Sequence, residues 1–129
     1  MNKSIKAIKS GVTLHDTELM RRSHENRKYL MELSSECMLT HHRHEAGLNL
    51  MYSSPDFHTH GGWENPLCQL RGHFIGHWLS AAAMEFAFTG DIELKSKADV
   101  IVKNLAQCQQ RNGGEWCAPV PEKYLSFIS

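Results

Sequence analysis

The chain has no stretch approaching the roughly 18 consecutive apolar residues that a bilayer-spanning helix needs, so no membrane partner is expected. It has no excess of charge either: 14 Lys plus Arg stand against 14 Asp plus Glu. Without a basic surplus to neutralise phosphates, no nucleic-acid partner is expected. Cysteine is sparse. Cys37, Cys68, Cys108 and Cys117 form no C-x-x-C pair and no finger-like spacing, which predicts neither a zinc finger nor a disulfide framework. They read as reduced thiols of a cytoplasmic protein, with a bridged pair in an oxidising compartment as the alternative. The segment Met1–Ser10 is basic but lacks the apolar run of a signal peptide. Strand-like alternation is missing throughout, as are a nucleophile elbow, a phosphate loop and a dinucleotide fingerprint.

What is present is organised around one stretch. Gly61-Gly62-Trp63-Glu64 leads into Leu70-Arg71-Gly72-His73-Phe74-Ile75-Gly76-His77-Trp78-Leu79-Ser80-Ala81-Ala82-Ala83. On a helix with His73 at zero, His77 falls at about 40°, Ser80 at about −20° and Met84 at about 20°. Phe74, Ile75, Trp78, Leu79, Ala82, Ala83 and Phe86 occupy the remaining circumference. An apolar circumference predicts a buried helix, and its one polar stripe then faces a satisfied network or a water-accessible cavity.

The 129 residues suffice for one domain at most. Residues 1–12 read as a loose polar arm. Asp16 is placed to cap a helix whose apolar side is Leu19, Met20, Leu30 and Leu33, and Ser34-Ser35 breaks it. A second helical segment covers about 36–50. From Tyr52 to Pro66 the composition becomes that of an ordered loop, and loops of this length are more often functional than idle. The central helix runs from about Leu70 to Phe88 and stops at Thr89-Gly90-Asp91. Gly90 suits a left-handed end position there, and Asp91 suits the cap of the next helix. That helix carries Leu94, Ala98, Ile101, Val102, Leu105 and Cys108 on its apolar side and ends at Asn112-Gly113-Gly114. Residues 115–129 yield no assignment. The expectation is an all-α fold in which a buried inner helix alternates with a half-exposed outer one, the pattern of a two-layer helical toroid.

Several side chains invite a chemical reading. His73 and His77, four apart, have the spacing of two zinc ligands on a helix, but Phe74 stands where a metalloprotease places its glutamate. They fit a metal pair, core histidines or the lining of a polar pocket. Trp63-Glu64 suits a sugar pocket, the indole stacking on a ring and the carboxylate accepting hydroxyl hydrogen bonds. The alternative is a core tryptophan with Glu64 at the start of a helix. His41, His42 and His44 are too close in sequence to share one helix face, so most of them are expected to face solvent; His58 and His60 fit a solvated loop or opportunistic metal binding. Of Gln107, Gln109 and Gln110, geometry allows one to enter a pocket. Glycoside hydrolysis needs a second carboxylate, and none stands out beside Glu64.

The set Gly61-Gly62-Trp63-Glu64, Leu70–Ala81, Thr89-Gly90-Asp91 and Leu105-Ala106-Gln107-Cys108-Gln109 resembles the N-terminal part of β-L-arabinofuranosidase-type catalytic domains. These are the glycoside hydrolases of family 127 and relatives such as family 146. Val12-Thr13-Leu14, Asn26–Leu30 and Ala46-Gly47-Leu48 fit the same domains, so the resemblance covers roughly residues 10–122. It implies an (α/α)6 barrel and release of a terminal β-linked L-arabinofuranose, or a related sugar, from plant-type glycans. It also implies a zinc site with a cysteine nucleophile and a separate glutamate acid/base, in motifs lying later in such domains. None of the four cysteines here matches that cluster, so this chain is expected to hold no metal or cofactor and no catalytic residue. What carries over is sugar contact by Trp63, Glu64, His73 and His77.

A barrel of twelve helices needs several hundred residues, whereas this chain supplies about four helices. Residues 13–122 are therefore expected to be about the first third of such a domain, with 123–129 as a tail. The isolated chain is expected to be inactive and to self-associate through an open barrel flank. Two other readings stand beside this one. One is a histidine-rich protein binding a metal through His73, His77 and either His58 or His60; the other is a non-catalytic interaction module.

Overall fold

The computed structural model describes residues 13, 15, 17–48 and 57–124, and every regular element among them is helical. There are four α-helices: α1 (Thr17–Glu32), α2 (Ser35–Glu45), α3 (Phe74–Thr89) and α4 (Ile92–Arg111). Short 3-10 turns occupy Gly62–Glu64 and Glu122–Tyr124. The expected all-α architecture holds. No helix of the described residues is long and apolar enough to cross a membrane. The arm at 1–12, the Asp16 cap and the end of the tail lie outside the described residues.

The helix boundaries follow local chemistry. Ser34 ends α1 and caps α2, its hydroxyl accepting the Cys37 N–H at 3.3 Å. Gly90 adopts the left-handed conformation (φ 74°), and Asp91 Oδ1 accepts the Leu94 N–H at 3.0 Å, as the sequence predicts. Two boundaries differ from expectation. Helix α2 turns out of register at Ala46-Gly47, well before residue 50. Helix α3 begins at Phe74, because residues 65–72 form successive turns that end at a left-handed Gly72 (φ 77°).

Helix α4 packs across α2 and α3, while α1 lies against α3. The core joins Leu30, Met38, Leu39, Ile75, Trp78, Ala82, Leu94 and Ile101. Burying each large side chain contributes roughly 1.5–3 kcal/mol. Two expectations about burial need correction. Leu19, Met20 and Val102 are exposed, so the apolar sides of α1 and α4 are narrower than their sequences suggest. Helix α3 is not buried all round: its neighbours cover Ile75, Trp78 and Ala82, but Ala83, Ala87 and Phe88 face outward and Met84 is 67% exposed. The helices of the described residues cover one side of α3 only.

Polar ties hold α1 in place. Its own last turn carries no cation to offset the negative end of the helix. Lys97 of α4 supplies one, donating to the carbonyls of Leu30 (3.1 Å), Met31 (2.8 Å) and Leu33 (2.5 Å). Its ammonium stands 5.4 Å from the Trp78 ring centre, and desolvation pushes its pKa down. Trp78 Nε1 donates to the Leu30 carbonyl at 3.0 Å, and Arg27 pairs with Asp91 and Glu93 at the α3–α4 turn. Lys97→Met keeps the stem and removes three charge-assisted bonds, so it should lower unfolding stability by about 2 kcal/mol. Urea denaturation measures this, and an unchanged midpoint would show that water replaces the ammonium without loss.

Candidate functional site

Two glycines build the site. Gly61 (φ 72°, ψ −165°) and Gly62 (φ 55°) take conformations that side chains disfavour, and they start the tight turn Gly62–Glu64. The turn sends its two side chains in opposite directions. Trp63 is 66% exposed, whereas Glu64 is 5% exposed. A tryptophan in the core is therefore excluded. Glu64, by contrast, does sit at the start of a helix. Its Oε2 accepts the Gly72 N–H at 2.7 Å and its Oε1 the Phe74 N–H at 3.3 Å. A carboxylate at the positive end of α3 completes donors that the helix itself leaves open.

Beneath this turn lie His41 and His42. Both are buried (0% and 5% exposed), which corrects the expectation that most of the α2 histidines face water. Helix α2 is enclosed on two sides, by α4 and by the chain leading to α3, so adjacent positions are both inside. The His41 ring nitrogen Nε2 donates to the Glu64 carbonyl at 2.7 Å. His42 packs against Gly72, where an added Cβ would come within 3.1 Å of its ring and overlap the Pro119 ring. Burial lowers the pKa of both, with His42 going from the ordinary 6.5 to about 4.

Above the turn is a cavity of about 500 Å³. All four residues expected to meet a ligand, Trp63, Glu64, His73 and His77, line it. His60, Gly61 and Phe74 complete that wall, and Tyr29 of α1 and Leu33 just after it form the facing one. His73 stands just before α3. Its Nδ1 donates to the Leu70 carbonyl at 2.6 Å and lies 3.5 Å from Glu64 Oε1. Its ring meets Trp63 at 5.6 Å with a 39° tilt and His77 at 5.6 Å edge-on. The sequence gives no signal that Tyr29 and Leu33 line a cavity, because this end of α1 reaches it through tertiary packing. His60 reaches it too, although exposed.

A metal does not fit these residues. Among the described residues no group of three or more His, Cys, Asp or Glu is arranged to hold one. His60 shares the cavity with His73 and His77, but its Nε2 is turned to the Ser34 carbonyl at 3.3 Å. The four cysteines are free thiols, and none lines the cavity. Burial raises the pKa of Cys108 and Cys117, which makes them poor thiolates. Of the three glutamines, Gln109 donates to the Glu115 carbonyl at 3.4 Å, and none enters the cavity.

A family model described as the β-L-arabinofuranosidase, GH127 catalytic domain, matches residues 11–122. The chain belongs to this glycoside hydrolase family. Its helices are accordingly part of an α/α barrel, the architecture of family 127. No curated protein and no solved structure matches the chain. Within this family 127 chain the glycine turn, the buried carboxylate and the two histidines form one connected unit.

That unit makes stability depend on pH. Unfolded, the His42 imidazole takes up its proton near 6.5; folded, it does so at about 4. Between these values the unfolded chain binds more protons, so stability present above pH 6.5 is lost as pH falls toward 4. The loss should be on the order of 3 kcal/mol. Urea midpoints across this window should drop in the parent and drop less in His42→Gln, where His41 still carries a lowered pKa. A flat parent profile would contradict the buried, neutral imidazole.

Proposed function

We propose that the cavity binds a terminal sugar, L-arabinofuranose or a related residue of plant-type glycans, as the substrate of a family 127 catalytic domain. The observation that carries this reading is the convergence of Trp63, His73 and His77 at the start of α3 in a chain matching that family from residue 11 to 122. An exposed indole offers a flat apolar face for a sugar ring, and imidazoles exchange hydrogen bonds with its hydroxyls. Glu64 takes a supporting place in this reading. Both its oxygens already accept backbone N–H groups, and the lone pairs that remain face His73 and the cavity floor.

The isolated chain binds and does not turn over. Glycoside hydrolysis requires two catalytic groups placed about 5–9 Å apart across the scissile bond. Among the residues lining the cavity there is one carboxylate, and it is engaged in holding the helix. The free thiols fit the reducing, cytoplasmic setting expected from the sequence. The outward face of α3, from Ala83 to Phe88, is where a barrel would place further helices, and alone it favours self-association.

Saturation-transfer NMR with methyl β-L-arabinofuranoside tests the binding. Trp63→Ala and His77→Ala should each weaken it about tenfold or more while leaving the helical circular dichroism unchanged. Nitrophenyl β-L-arabinofuranoside should not be hydrolysed above background. Absence of any binding would contradict the sugar reading, and saturable turnover would contradict the incomplete site. Sedimentation should give a mass that rises with concentration and falls back in Met84→Glu. A concentration-independent monomer would contradict self-association.

A further inference from the structure

We infer that Pro119 is a positioning residue of the cavity: its ring clamps the backbone at Gly72 and so sets where the His73 imidazole meets a ligand. This rests on the sugar-binding reading above and adds a part of the chain that does not line the cavity.

The segment after α4 is held to the end of that helix and closed on itself. Gln109 Nε2 donates to the Glu115 carbonyl at 3.4 Å, and the Cys117 thiol donates to the Leu105 carbonyl at 3.2 Å. Trp116 Nε1 donates to the Val120 carbonyl at 2.7 Å, which draws residues 116–120 into one turn. Pro119 lies in that turn, half-buried, and its ring meets Gly72 at the entry to α3. A Cβ built on Gly72 would stand 2.6 Å from the Pro119 Cβ and closer still to its Cγ.

Three groups therefore fix Gly72. Its N–H is held by Glu64 Oε2 at 2.7 Å, and the His42 and Pro119 rings bound the space where a side chain would stand. The hydrogen bond alone holds the N–H but leaves the peptide free to swing about it, and the rings close that freedom. Proline suits the task, because its ring is rigid and loses no rotamer freedom when pressed into place. His73 is the next residue, so a displacement of Gly72 reaches its side chain through one peptide unit. Ligand contacts tolerate a misplacement of only about 0.5 Å.

A double-mutant cycle between Gly72→Ala and Pro119→Gly tests this in the 129-residue chain. It is read by NMR titration with methyl β-L-arabinofuranoside and by the His73 ring-proton resonances. The Trp63 ring, 5.6 Å from that of His73, makes those resonances sensitive to small displacements. Pro119→Gly should weaken sugar binding about fivefold and shift the resonances, while the amides of α4 stay protected. Gly72→Ala should weaken binding at least about tenfold in the parent, but less than about threefold beside Pro119→Gly, where the new methyl finds room. Backbone strain at Gly72 (φ 77°) and the contact with His42 are common to both backgrounds and cancel. A contact that only stabilised the fold would move the urea midpoint and leave both readouts of the folded protein unchanged. Unchanged affinity and resonances in Pro119→Gly, or an equal cost of Gly72→Ala in both backgrounds, overturns the inference and leaves the sugar reading standing. If the unaltered chain binds no sugar, the sugar reading falls, and the positioning of His73 by Pro119 stands or falls on the resonances.

Discussion

The Glu64 carboxylate is the constraint on which the rest of the site depends. It is a buried acid in a small domain, and such a group is stable only when its oxygens find donors. It finds them in the N–H groups of Gly72 and Phe74, so one side chain fixes both the last turn before α3 and the start of α3. Its own carbonyl accepts from His41, which ties the turn to α2. The wall formed by the turn and the start of α3 follows from this anchoring. Trp63 is thrown outward because Glu64 must point inward, and His73 is aimed because Gly72 is held. The two glycines before Trp63 supply backbone conformations that make the reversal possible.

The opposite wall depends on a different interaction. Tyr29 belongs to α1 and Leu33 follows it directly, and α1 touches α3 only lightly. What places them is the set of α1 carbonyls gathered by Lys97 and Trp78. The cavity thus lies between an acid completing the positive end of one helix and a cation completing the negative end of another. Each charge is buried or half-buried, and each is matched by backbone dipoles. An arrangement of this kind fixes direction as well as distance, which a purely apolar contact between α1 and α3 would not.

Much of this was legible in the residues. Gly90-Asp91 marked a helix end and a helix start because both requirements are local, and the structure places both. Gly61-Gly62-Trp63-Glu64 marked the turn beside the cavity for a similar reason: two consecutive glycines before a tryptophan and an acid have few structural uses. The family resemblance rested on the same residues, and the match over residues 11–122 bears it out. The failures are failures of tertiary context. Most of His41, His42 and His44 were expected to face solvent because one helix face cannot hold all three, yet α2 is covered from two directions and both His41 and His42 are buried. Helix α3 looked buried throughout because its composition records every surface that an α/α barrel would cover, whereas the described residues cover one side. Tyr29 carried no signal, since its place at the cavity depends on Lys97, 68 residues away along the chain.

The central claim, that one buried carboxylate organises the site, is tested most directly at the two amides it accepts. Amide hydrogen exchange followed by NMR reads the Gly72 and Phe74 N–H groups individually. Neither amide has a partner within its own helix turn, so only the carboxylate protects them. The account predicts that both exchange as slowly as amides in the middle of α3, and that Glu64→Ala releases them to the rates of an open loop while α4 stays protected. Fast exchange at Gly72 in the unaltered chain, or protection that survives Glu64→Ala, would contradict it.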